Sequence, residues 1–305
     1  MRYDAIVVGG SFAGLSAAMQ LARARRRVLI VDSGLPRNRF ASASHGFLGQ
    51  DGRPPHDILR DAARQLRAYP TVEMVQDEVV SAREAERGFD VALADGREAR
   101  AARLVLATGV ADELPPLPGM RERWGATVLH CPYCHGYEVS GRELGVLGGH
   151  EKAAHLATLL PDWGPTTLFT QGELEPDEEE AARLAARGVR IERTPVVELL
   201  GAAPELDAVR LSDGRVVALG AIFAGPRVRM ASPLAEQLGC EFDDGPMGPY
   251  IRVDGSKQTT VPGVYAAGDA ASPMYNATIA SAAGVMAGFG AHQSLVVEAA
   301  TPVAA

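Results

Sequence analysis

The chain has 305 residues, of which 47% are hydrophobic and 22% charged, and it contains 33 glycines. This composition excludes a disordered chain, a collagen and a disulfide-rich scaffold, and the length favours two domains over one. The formal net charge of -8 disfavours a nucleic-acid or anionic-membrane partner, because phosphate binding requires a positive surface. Three cysteines are too few to hold together a fold of this size, so we examine them for chemistry rather than for cross-linking.

The first predicted element is an apolar strand at residues 3–8, which follows Met1 and Arg2 without the layout of a signal peptide. Every long apolar stretch is broken by glycine, proline or charge well before the ~20 residues that a bilayer span requires. We therefore expect a cytoplasmic protein without a membrane segment.

The strand at 3–8 leads into a glycine-rich turn, which is followed by a helix at 15–23 and a strand at 28–31 that ends in Asp32. This order is typical of a dinucleotide-binding unit, in which the helix N-terminus meets a pyrophosphate and the carboxylate meets a ribose. A serine replaces the middle glycine of the pattern, and its small side chain leaves the backbone approach open. The alternative is a strand-helix turn without a ligand. We predict that the turn binds a dinucleotide through Gly9, Gly10, Ser11, Phe12, Ala13, Gly14 and Asp32.

The middle of the chain predicts one helix, several short strands and two linkers. In chain order these are a helix at 57–68, β-type runs at 71–75, 79–83 and 89–93, a hairpin turn at 94–97, a strand at 103–107, and strands at 143–147 and 166–169. The two linkers are the proline-rich stretches 112–119 and 243–249, whose prolines lack backbone donors.

Two linkers divide the chain into three segments, which fits one domain inserted into another better than three independent domains. We therefore predict the α/β class, with two Rossmann-like dinucleotide-binding domains of the three-layer ββα sandwich type, the second inserted into the first. The predicted first domain comprises residues 1–112 and 245–305, and the central domain comprises residues 116–241.

A second glycine-acid element lies near the C-terminus, where a strand at 263–267 ends in Gly268 and Asp269 and precedes a small-residue helix at 277–290. A carboxylate at the tip of a strand can accept a hydrogen bond from a ribityl hydroxyl, which FAD has and NAD lacks. We therefore predict FAD as the dinucleotide. The tail after His292 is rich in small residues and is expected to fray.

The reactive chemistry is predicted at Cys131 and Cys134, which form a C-x-x-C motif flanked by His130 and His135. This spacing holds two sulfurs close enough to bridge and makes a thiolate available near neutral pH, while a histidine can move the proton of thiol-disulfide exchange. A structural zinc site is the alternative, but it needs four ligands and there is no second Cys pair. Cys240 stands alone and is interpreted as a buried small hydrophobe.

With these motifs in place, the chain resembles the low-molecular-weight thioredoxin reductase family over almost its full length. The resemblance rests on the glycine turn at Gly9 to Asp32, the Ala107-Thr108-Gly109 crossover, the C-x-x-C motif and Gly268-Asp269. It implies an FAD domain made of the two outer segments, a central NADPH-type domain that carries the redox cysteines, and a homodimer.

The second glycine motif departs from that family. Residues 148–153 read Gly-Gly-His-Glu-Lys-Ala, with His150 where the family has a glycine of its NADPH fingerprint. Six of the eight residues from 173 to 180 are acidic, where reductases carry arginines that hold a 2′-phosphate. These acids repel a phosphate, and they also suit the start of a helix. Both observations weigh against NADPH.

The sequence around the cysteines also differs from a reductase. His135 replaces the aspartate that follows the second cysteine in thioredoxin reductases, and residues 276–278 read Asn-Ala-Thr instead of Arg-Gln-Ala. The run from Cys131 to Glu138 and the first glycine turn resemble the dithiol oxidases of the gliotoxin and holomycin type.

That resemblance implies an enzyme that oxidises a small-molecule dithiol at Cys131, with Cys134 passing electrons to FAD and oxygen yielding hydrogen peroxide. His135, or alternatively His130, is predicted to be the base. Two other hypotheses stay open: a thioredoxin reductase-like disulfide reductase fed by ferredoxin or a pyridine nucleotide, and a non-enzymatic redox sensor. No metal is predicted, and neither a small dithiol nor a protein thiol is excluded as substrate.

Further residues carry weaker predictions. His45 and Arg39 lie in a turn-rich loop after Asp32 and are predicted cofactor neighbours, with plain loop structure as the alternative. The remaining predicted cofactor residues are Val79, Thr108, Gly109, Gly268, Asp269, Ala277 and Thr278. Trp124, Tyr133 and Tyr137 either line a hydrophobic substrate mouth or pack in the core.

Overall fold

The computed structural model describes residues 2–150 and 152–300. The chain divides into two compact units. The first unit comprises residues 1–39, 56–111 and 228–305, and the second comprises residues 40–55 and 112–227. The helix that contains Asp57 begins at Pro55, where the segment 40–55 of the second unit meets the segment 56–111 of the first.

The elements follow one another as strands and helices of 2 to 24 residues. Up to residue 113 they are β1 (Arg2–Val8), α1 (Phe12–Arg23), β2 (Val28–Asp32), α2 (Pro55–Arg67), β3 (Val72–Gln76), β4 (Val79–Ala85), β5 (Gly88–Leu93), β6 (Glu98–Leu106) and β7 (Val110–Glu113). The central part contains β8 (Val128–Leu129), α3 (Pro132–His135), β9 (Leu144–Leu147), α4 (Ala153–Leu159), β10 (Thr166–Phe169), α5 (Glu178–Ala186), β11 (Arg190–Glu192), β12 (Val196–Leu200), β13 (Ala208–Leu211), β14 (Val216–Ala218) and β15 (Ala221–Ala224). The last part contains β16 (Arg227–Met230), α6 (Leu234–Gln237), β17 (Phe242–Gly245), β18 (Gly248–Ile251), β19 (Val264–Ala266) and α7 (Ala277–Ala300).

The first unit is built on a sheet in the order β3-β2-β1-β6-β5-β4, with β19 also paired to β6. The pairs β1–β2, β2–β3, β1–β6 and β6–β19 are parallel, whereas β4, β5 and β6 pair antiparallel. The last four residues of β1 are fully buried, as expected of a parallel strand covered on both faces. This sheet brings the carboxyl ends of β1, β2 and β19 to one edge, where ligands of open α/β sheets bind.

Helices α1 and α7 pack closely in the first unit because small residues face each other. A Cβ added at Gly284 would lie 2.1 Å from the carbonyl oxygen of Ala13, and one added at Gly288 would lie 2.6 Å from that of Ala17. Each contact is closer than real Cβ atoms approach, so both helix positions require glycine. Helix α7 thus contacts the N-terminal turn of α1 directly and helps to fix its position.

The second unit has a parallel sheet in the order β11-β10-β9-β15-β8 and a three-stranded antiparallel sheet β12-β13-β14. All four residues of β9, β10 and β15 are buried, so these strands read as continuous apolar runs rather than as alternating patterns. Two cores result, one around Leu144 and Phe223 and one around Phe169 and Ile222. The parallel sheets of both units confirm the predicted α/β class.

The bounds of the units differ from the predicted domains. Residues 40–55 cluster with the second unit although the prediction placed them with 1–112, and residues 228–241 cluster with the first unit although the prediction placed them in 116–241. The first difference has a visible cause: Phe40 lies against Gly125, and His45 contacts Glu138, both in the second unit.

Two predicted segments have different structures. Residues 243–249 do not form a linker: β17 and β18 pair there as an antiparallel hairpin with Asp244 opposite Pro249, because proline is tolerated in a strand that has a single partner. Helix α7 continues to Ala300, ten residues beyond its predicted end, so the tail after His292 is helical up to that residue. The predicted fraying of residues 301–305 lies outside the described residues.

Within residues 2–150 and 152–300, no helix combines the length and the apolar character needed to cross a membrane.

Candidate active site

The glycine turn between β1 and α1 is closed so tightly that two positions exclude any side chain. Gly9 has a φ of +105° and its added Cβ would lie 2.2 Å from the carbonyl oxygen of Ala107. A Cβ on Gly14 would lie 1.8 Å from the carbonyl oxygen of Gly9. The predicted β-α-β turn is therefore present, and its glycines allow the close approach of β1, α1 and the 107–108 segment.

The N-terminus of α1 has the features of an anion site. Ser11 is its N-cap residue and makes no side-chain capping hydrogen bond, and the first turn contains no acidic residue. The backbone N–H groups of this turn are thus not capped by a side chain of the helix, and the helix dipole adds a partial positive charge. Of the following residues, Phe12 is half-buried and Ala13 is buried.

Asp32, at the end of β2, accepts a hydrogen bond from the backbone N–H of Gly10 at 2.8 Å. The bond joins Oδ1 to the turn, so this carboxylate fixes the turn in addition to its predicted contact with a ribose. It is half-buried, which strengthens a charge-assisted hydrogen bond relative to an exposed one.

At the end of β19, Asp269 forms an ion pair with Arg37, whose Nη1 lies 2.9 Å from Oδ2. The Arg37 guanidinium also lies 4.1 Å from the centre of the Tyr275 ring, which is a cation–π distance. Neither Arg37 nor Tyr275 is predictable from the sequence, because neither belongs to a glycine-acid motif. Gly268 is buried and has a φ of +75°, so the turn that presents Asp269 requires glycine.

The other predicted cofactor residues of the first unit occupy several environments. The Val79 side chain is only 3% exposed and lies in the core, so only its backbone can meet a ligand. Thr108 and Gly109 are half-buried. Arg39 is exposed and donates to the carbonyl oxygen of Pro36. At the start of α7, Ala277 is half-buried, Thr278 is exposed, and Asn276 Oδ1 accepts from the N–H groups of Thr278 and Ile279 at 2.8 and 3.2 Å.

The residues of the first turn fit the pyrophosphate and ribose of FAD. The tight glycine turn and the N-terminus of α1, where Ser11 makes no side-chain capping hydrogen bond, suit a pyrophosphate, and Asp32 suits a ribose. Asp269 would meet a ribityl hydroxyl.

In the second unit, Cys131 and Cys134 form a disulfide with their Cα atoms 5.3 Å apart. Cys131 is the N-cap of the one-turn helix α3, and Pro132 occupies the first helical position, where its missing N–H has no cost. The N–H of Cys134 donates to the carbonyl oxygen of Cys131 at 3.2 Å. The helix turn thus holds both sulfurs within bridging distance, and both cysteines are half-buried.

His135 follows Cys134 directly and ends α3. Burial lowers the pKa of its imidazole, the Glu138 carboxylate opposes this effect, and the charge of His45 adds to it. Because the neutral form is favoured, His135 is available at neutral pH to accept a proton. This environment suits the base that the sequence predicted.

His130 has a different environment, since its ring centre lies 5.8 Å from that of Trp124. Tyr133 packs edge-on against Trp163 at 5.7 Å and is still 71% exposed, and Tyr137 is 83% exposed. The two tyrosines are therefore not core residues, which leaves the substrate-mouth interpretation for them. Trp124 is half-buried beside the core of Met120 and Val128.

The structure places His45 in the second unit, beside the disulfide motif. Its Nε2 lies 3.3 Å from Oε1 of Glu138, and its Nδ1 lies 3.7 Å from Oδ1 of Asp51. Residues 40–55 cluster with residues 112–227, and the role of His45 as a cofactor neighbour stays a prediction. Glu138 ends the run from Cys131 to Glu138 and lies three residues after His135. This spacing is the sequence signal by which Glu138 could have been predicted.

The second glycine motif contains His150 where the first has a small residue. The His150 imidazole packs over Gly225, where an added Cβ would lie 2.8 Å from its Cδ2 and Nε2. A Cβ on Gly149 would lie 3.8 Å from Oε2 of Glu173. An imidazole and a carboxylate thus lie beside this motif, and its weak fit to NADPH stays a prediction. Glu151 of the motif lies outside the described residues.

The acidic run beyond β10 has a structural role as well. Asp177 and Glu180 form a capping box at the start of α5, in which each side chain accepts from the backbone N–H of the other residue. This confirms that the acids suit a helix start. The described part of the chain contains no group of three His, Cys, Asp or Glu residues that could hold a metal ion.

Cys240 is buried and unpaired to another cysteine, and burial raises the pKa of its thiol. Its Sγ lies 3.5 Å from Oγ1 of Thr259. The interpretation of Cys240 as a buried small hydrophobe is confirmed.

A dinucleotide-type turn in one unit and a redox disulfide in the other define a flavin-type disulfide oxidoreductase architecture. The chain matches the model of the pyridine nucleotide-disulphide oxidoreductase family over residues 3–284, and it belongs to that family.

Individual relatives narrow this family. The chain is similar to thioredoxin reductase sirT of Leptosphaeria maculans, with 31% identity over 306 residues that cover 94% of this chain and 93% of that protein. An oxidoreductase from Agrobacterium tumefaciens has a TM-score of 0.93 and 49% identity, covering 97% of this chain and 99% of its own. HlmI has a TM-score of 0.90 and 40% identity, with 97% and 93% covered. The chain is thus a thioredoxin reductase-like oxidoreductase, and its predicted resemblance to the gliotoxin and holomycin type is confirmed.

Proposed function

We propose that the protein is an FAD-dependent dithiol oxidase, which converts a small-molecule dithiol into a disulfide and yields hydrogen peroxide from oxygen. The observation that carries the proposal is the half-buried His135 imidazole directly after Cys134, whose lowered pKa makes it a base beside a disulfide. His150 in place of a glycine of the second motif, and the acidic residues from 173 to 180, support the direction of the reaction, because both weigh against an NADPH donor.

FAD would be held by the Gly9–Gly14 turn, Asp32 and Asp269, with Val79, Thr108, Gly109 and Ala277 as backbone neighbours. FAD, when bound, supplies the two-electron acceptor for the reduced cysteine pair and passes both electrons to oxygen.

The residues of the second unit carry out the thiol exchange. His135 takes the proton of the first substrate thiol, and the resulting thiolate attacks Sγ of Cys131, which breaks the Cys131–Cys134 bond and releases Cys134 as a thiolate. The second substrate thiol loses its proton to solvent, and its thiolate attacks the substrate sulfur bound to Cys131. This attack breaks the mixed disulfide, expels Cys131 as a thiolate and releases the substrate as a disulfide. The substrate loses two electrons and two protons. The reduced cysteine pair holds the two electrons first, and the hydrogen peroxide formed at the end contains the two electrons and two protons.

The test is to load the protein with FAD, mix it anaerobically with a small dithiol, and follow the flavin absorbance before admitting oxygen. We expect bleaching by dithiol, no bleaching by NADPH, and one peroxide formed per disulfide in air. Bleaching by NADPH or by reduced ferredoxin, without dithiol turnover, would instead support the thioredoxin reductase-like alternative, which the name of the sirT relative favours. A protein that stays colourless after FAD addition would contradict both the dithiol oxidase and the disulfide reductase hypotheses.

We also propose that the enzyme is a homodimer and acts in the cytoplasm. Along α7, five apolar side chains remain exposed although the opposite face packs on α1; they are Ile279, Met286, Phe289, Val296 and Val297. A second copy of the chain would cover such a stripe.

A further inference from the structure

The loop of residues 40–55 contributes side chains to the redox motif of the second unit, although it is distant from that motif in sequence. Gly46 lies near the motif, since a Cβ added to it would be 3.9 Å from the carbonyl oxygen of Tyr133. The same loop carries His45, whose side chain is 22% exposed. The loop is therefore part of the surroundings of α3.

His45 lies between two carboxylates. Its Nε2 lies 3.3 Å from Oε1 of Glu138, and its Nδ1 lies 3.7 Å from Oδ1 of Asp51. Asp51 is itself fixed, because the same Oδ1 accepts from the backbone N–H of Gly46 at 2.8 Å. Asp51 of the same loop thus lies near one ring nitrogen of His45, and the other nitrogen faces Glu138.

The backbone between His135 and Glu138 is also fixed. The N–H of Gly136 donates to the carbonyl oxygen of Pro132 at 2.6 Å, and Ser140 Oγ donates to that of Gly136 at 3.0 Å. A Cβ on Gly136 would lie 2.9 Å from Nε1 of Trp163. Only the Glu138 side chain, which is 40% exposed, therefore needs a partner to keep its position.

We propose that His45 is a positioning residue for the thiol chemistry: it orients the Glu138 carboxylate, which follows His135 by three residues, so that the imidazolium formed on proton transfer is stabilised. This inference rests on the proposed function, in which His135 is the base. Alternating acid and imidazole groups then lead from Asp51 through His45 and Glu138 to His135. A carboxylate that is free to turn into water would stabilise the imidazolium less, because solvent screens its charge.

The charged groups that act on His135 are Glu138, which raises its pKa, and His45, which lowers it. The direction in which the pKa of His135 changes when His45 is replaced therefore distinguishes the two possible roles of His45. If His45 acts only through its charge, its removal raises the pKa of His135. If it positions Glu138, its removal also takes away the stabilising carboxylate, and the pKa of His135 falls.

The experiment is an NMR titration of the His135 imidazole in the oxidised protein, in the wild type and in Glu138→Gln, His45→Ala and His45→Gln. We expect the first two variants to lower the pKa of His135 by about half a pH unit. His45→Gln keeps a donor for Glu138 and is expected to restore most of the wild-type value. His56→Gln is the matched control, because His56 lies at the same 3.3 Å from Asp57 but is exposed in the first unit; it is expected to change nothing.

A rise of the His135 pKa in His45→Ala, or no change, would overturn the proposal. Circular dichroism and the melting temperature show whether each variant is folded, and a variant that unfolds is replaced by Asp51→Asn, which weakens the orientation of His45 and is expected to lower the same pKa less. The titration does not depend on FAD or on turnover. A fall of the pKa without any dithiol oxidation would therefore contradict the proposed function while supporting the role of His45.

Discussion

At the scale of single residues, His135 is the group on which the proposed chemistry depends. Replacing it by Asn removes the base next to Cys134, and we expect dithiol oxidation to slow by about 10²- to 10⁴-fold. Flavin bleaching in a stopped-flow instrument measures this step directly. His155→Asn is the control, since His155 is exposed on α4 in the same unit. Equal rates for the wild type and His135→Asn would show that another group accepts the proton.

The same residue sets the expected pH dependence. Burial lowers the pKa of His135, so the neutral base is present above that pKa and is lost as the pH falls through it. The acidic limb of the bleaching rate is therefore expected below the value of about 6.5 for an unperturbed imidazole. An acidic limb above that value would contradict the assignment of His135 as the base. A pH profile of the anaerobic half-reaction measures it without interference from oxygen.

Asp32 makes the second prediction about a single residue, because it serves both the turn and the ribose. Asp32→Ala removes the hydrogen bond to Gly10, and we expect FAD binding to weaken by about 1.5–3 kcal/mol, roughly 10- to 150-fold. Asp32→Asn keeps an acceptor for Gly10 and is expected to lose less. Titration of the apoprotein by flavin fluorescence measures both. Unchanged affinity in Asp32→Ala would remove this carboxylate from the proposed FAD site.

At the scale of secondary-structure elements, the contact between α1 and α7 links stability to the glycine turn. Glycine to alanine normally stabilises a helix by up to about 1 kcal/mol. Gly284→Ala is expected to do the opposite, by about 1–3 kcal/mol, because the new methyl would meet the backbone of Ala13. Denaturant unfolding measures this change. Ala282→Gly, on the exposed face, serves as control with an expected loss of about 1 kcal/mol; a stabilised Gly284→Ala protein would contradict the close packing.

The elements also show which structures sequence patterns can predict. Strands β1 and β10 and the starts of β2 and α7 follow from apolar runs bounded by glycine or charge, and they lie where predicted. The start of α1 at Phe12 was predicted three residues late, because a glycine inside the turn looks like a helix breaker. The hairpin β17–β18 was interpreted as a linker, since local proline and glycine content does not reveal a partner strand.

For the candidate site, the cysteines, the flanking histidines and the glycine turn were all identifiable from spacing. The contacts of His45 with Glu138 and of Arg37 with Asp269 were not. Each pair joins residues about 90 or more than 200 positions apart, and no local pattern marks such a contact. The reactive residues are therefore predictable from a single sequence, whereas the residues that hold them in place are not.

At the scale of the whole molecule, the exposed stripe of α7 predicts the oligomeric state. We expect the wild type to be a dimer in solution, and the double variant Met286→Glu with Phe289→Glu to be a monomer, because charges would replace apolar contacts in the covered surface. Size-exclusion chromatography with light scattering distinguishes these states. Val216→Glu, exposed on β14 in the second unit, is the control and is expected to stay dimeric. A monomeric wild type would contradict the proposal.

Residues 40–55 interrupt the first unit in sequence and yet complete the second unit in space. A central fragment cut at residues 112 and 227 would keep both cysteines, His135 and Glu138, but it would lack His45 and Asp51. The segment 112–227 is for this reason not sufficient to transfer the complete redox site to another protein. Grafting the central segment alone into another scaffold would transfer the disulfide without the loop that orients its acid, whereas a graft that also carries residues 40–55 would transfer both.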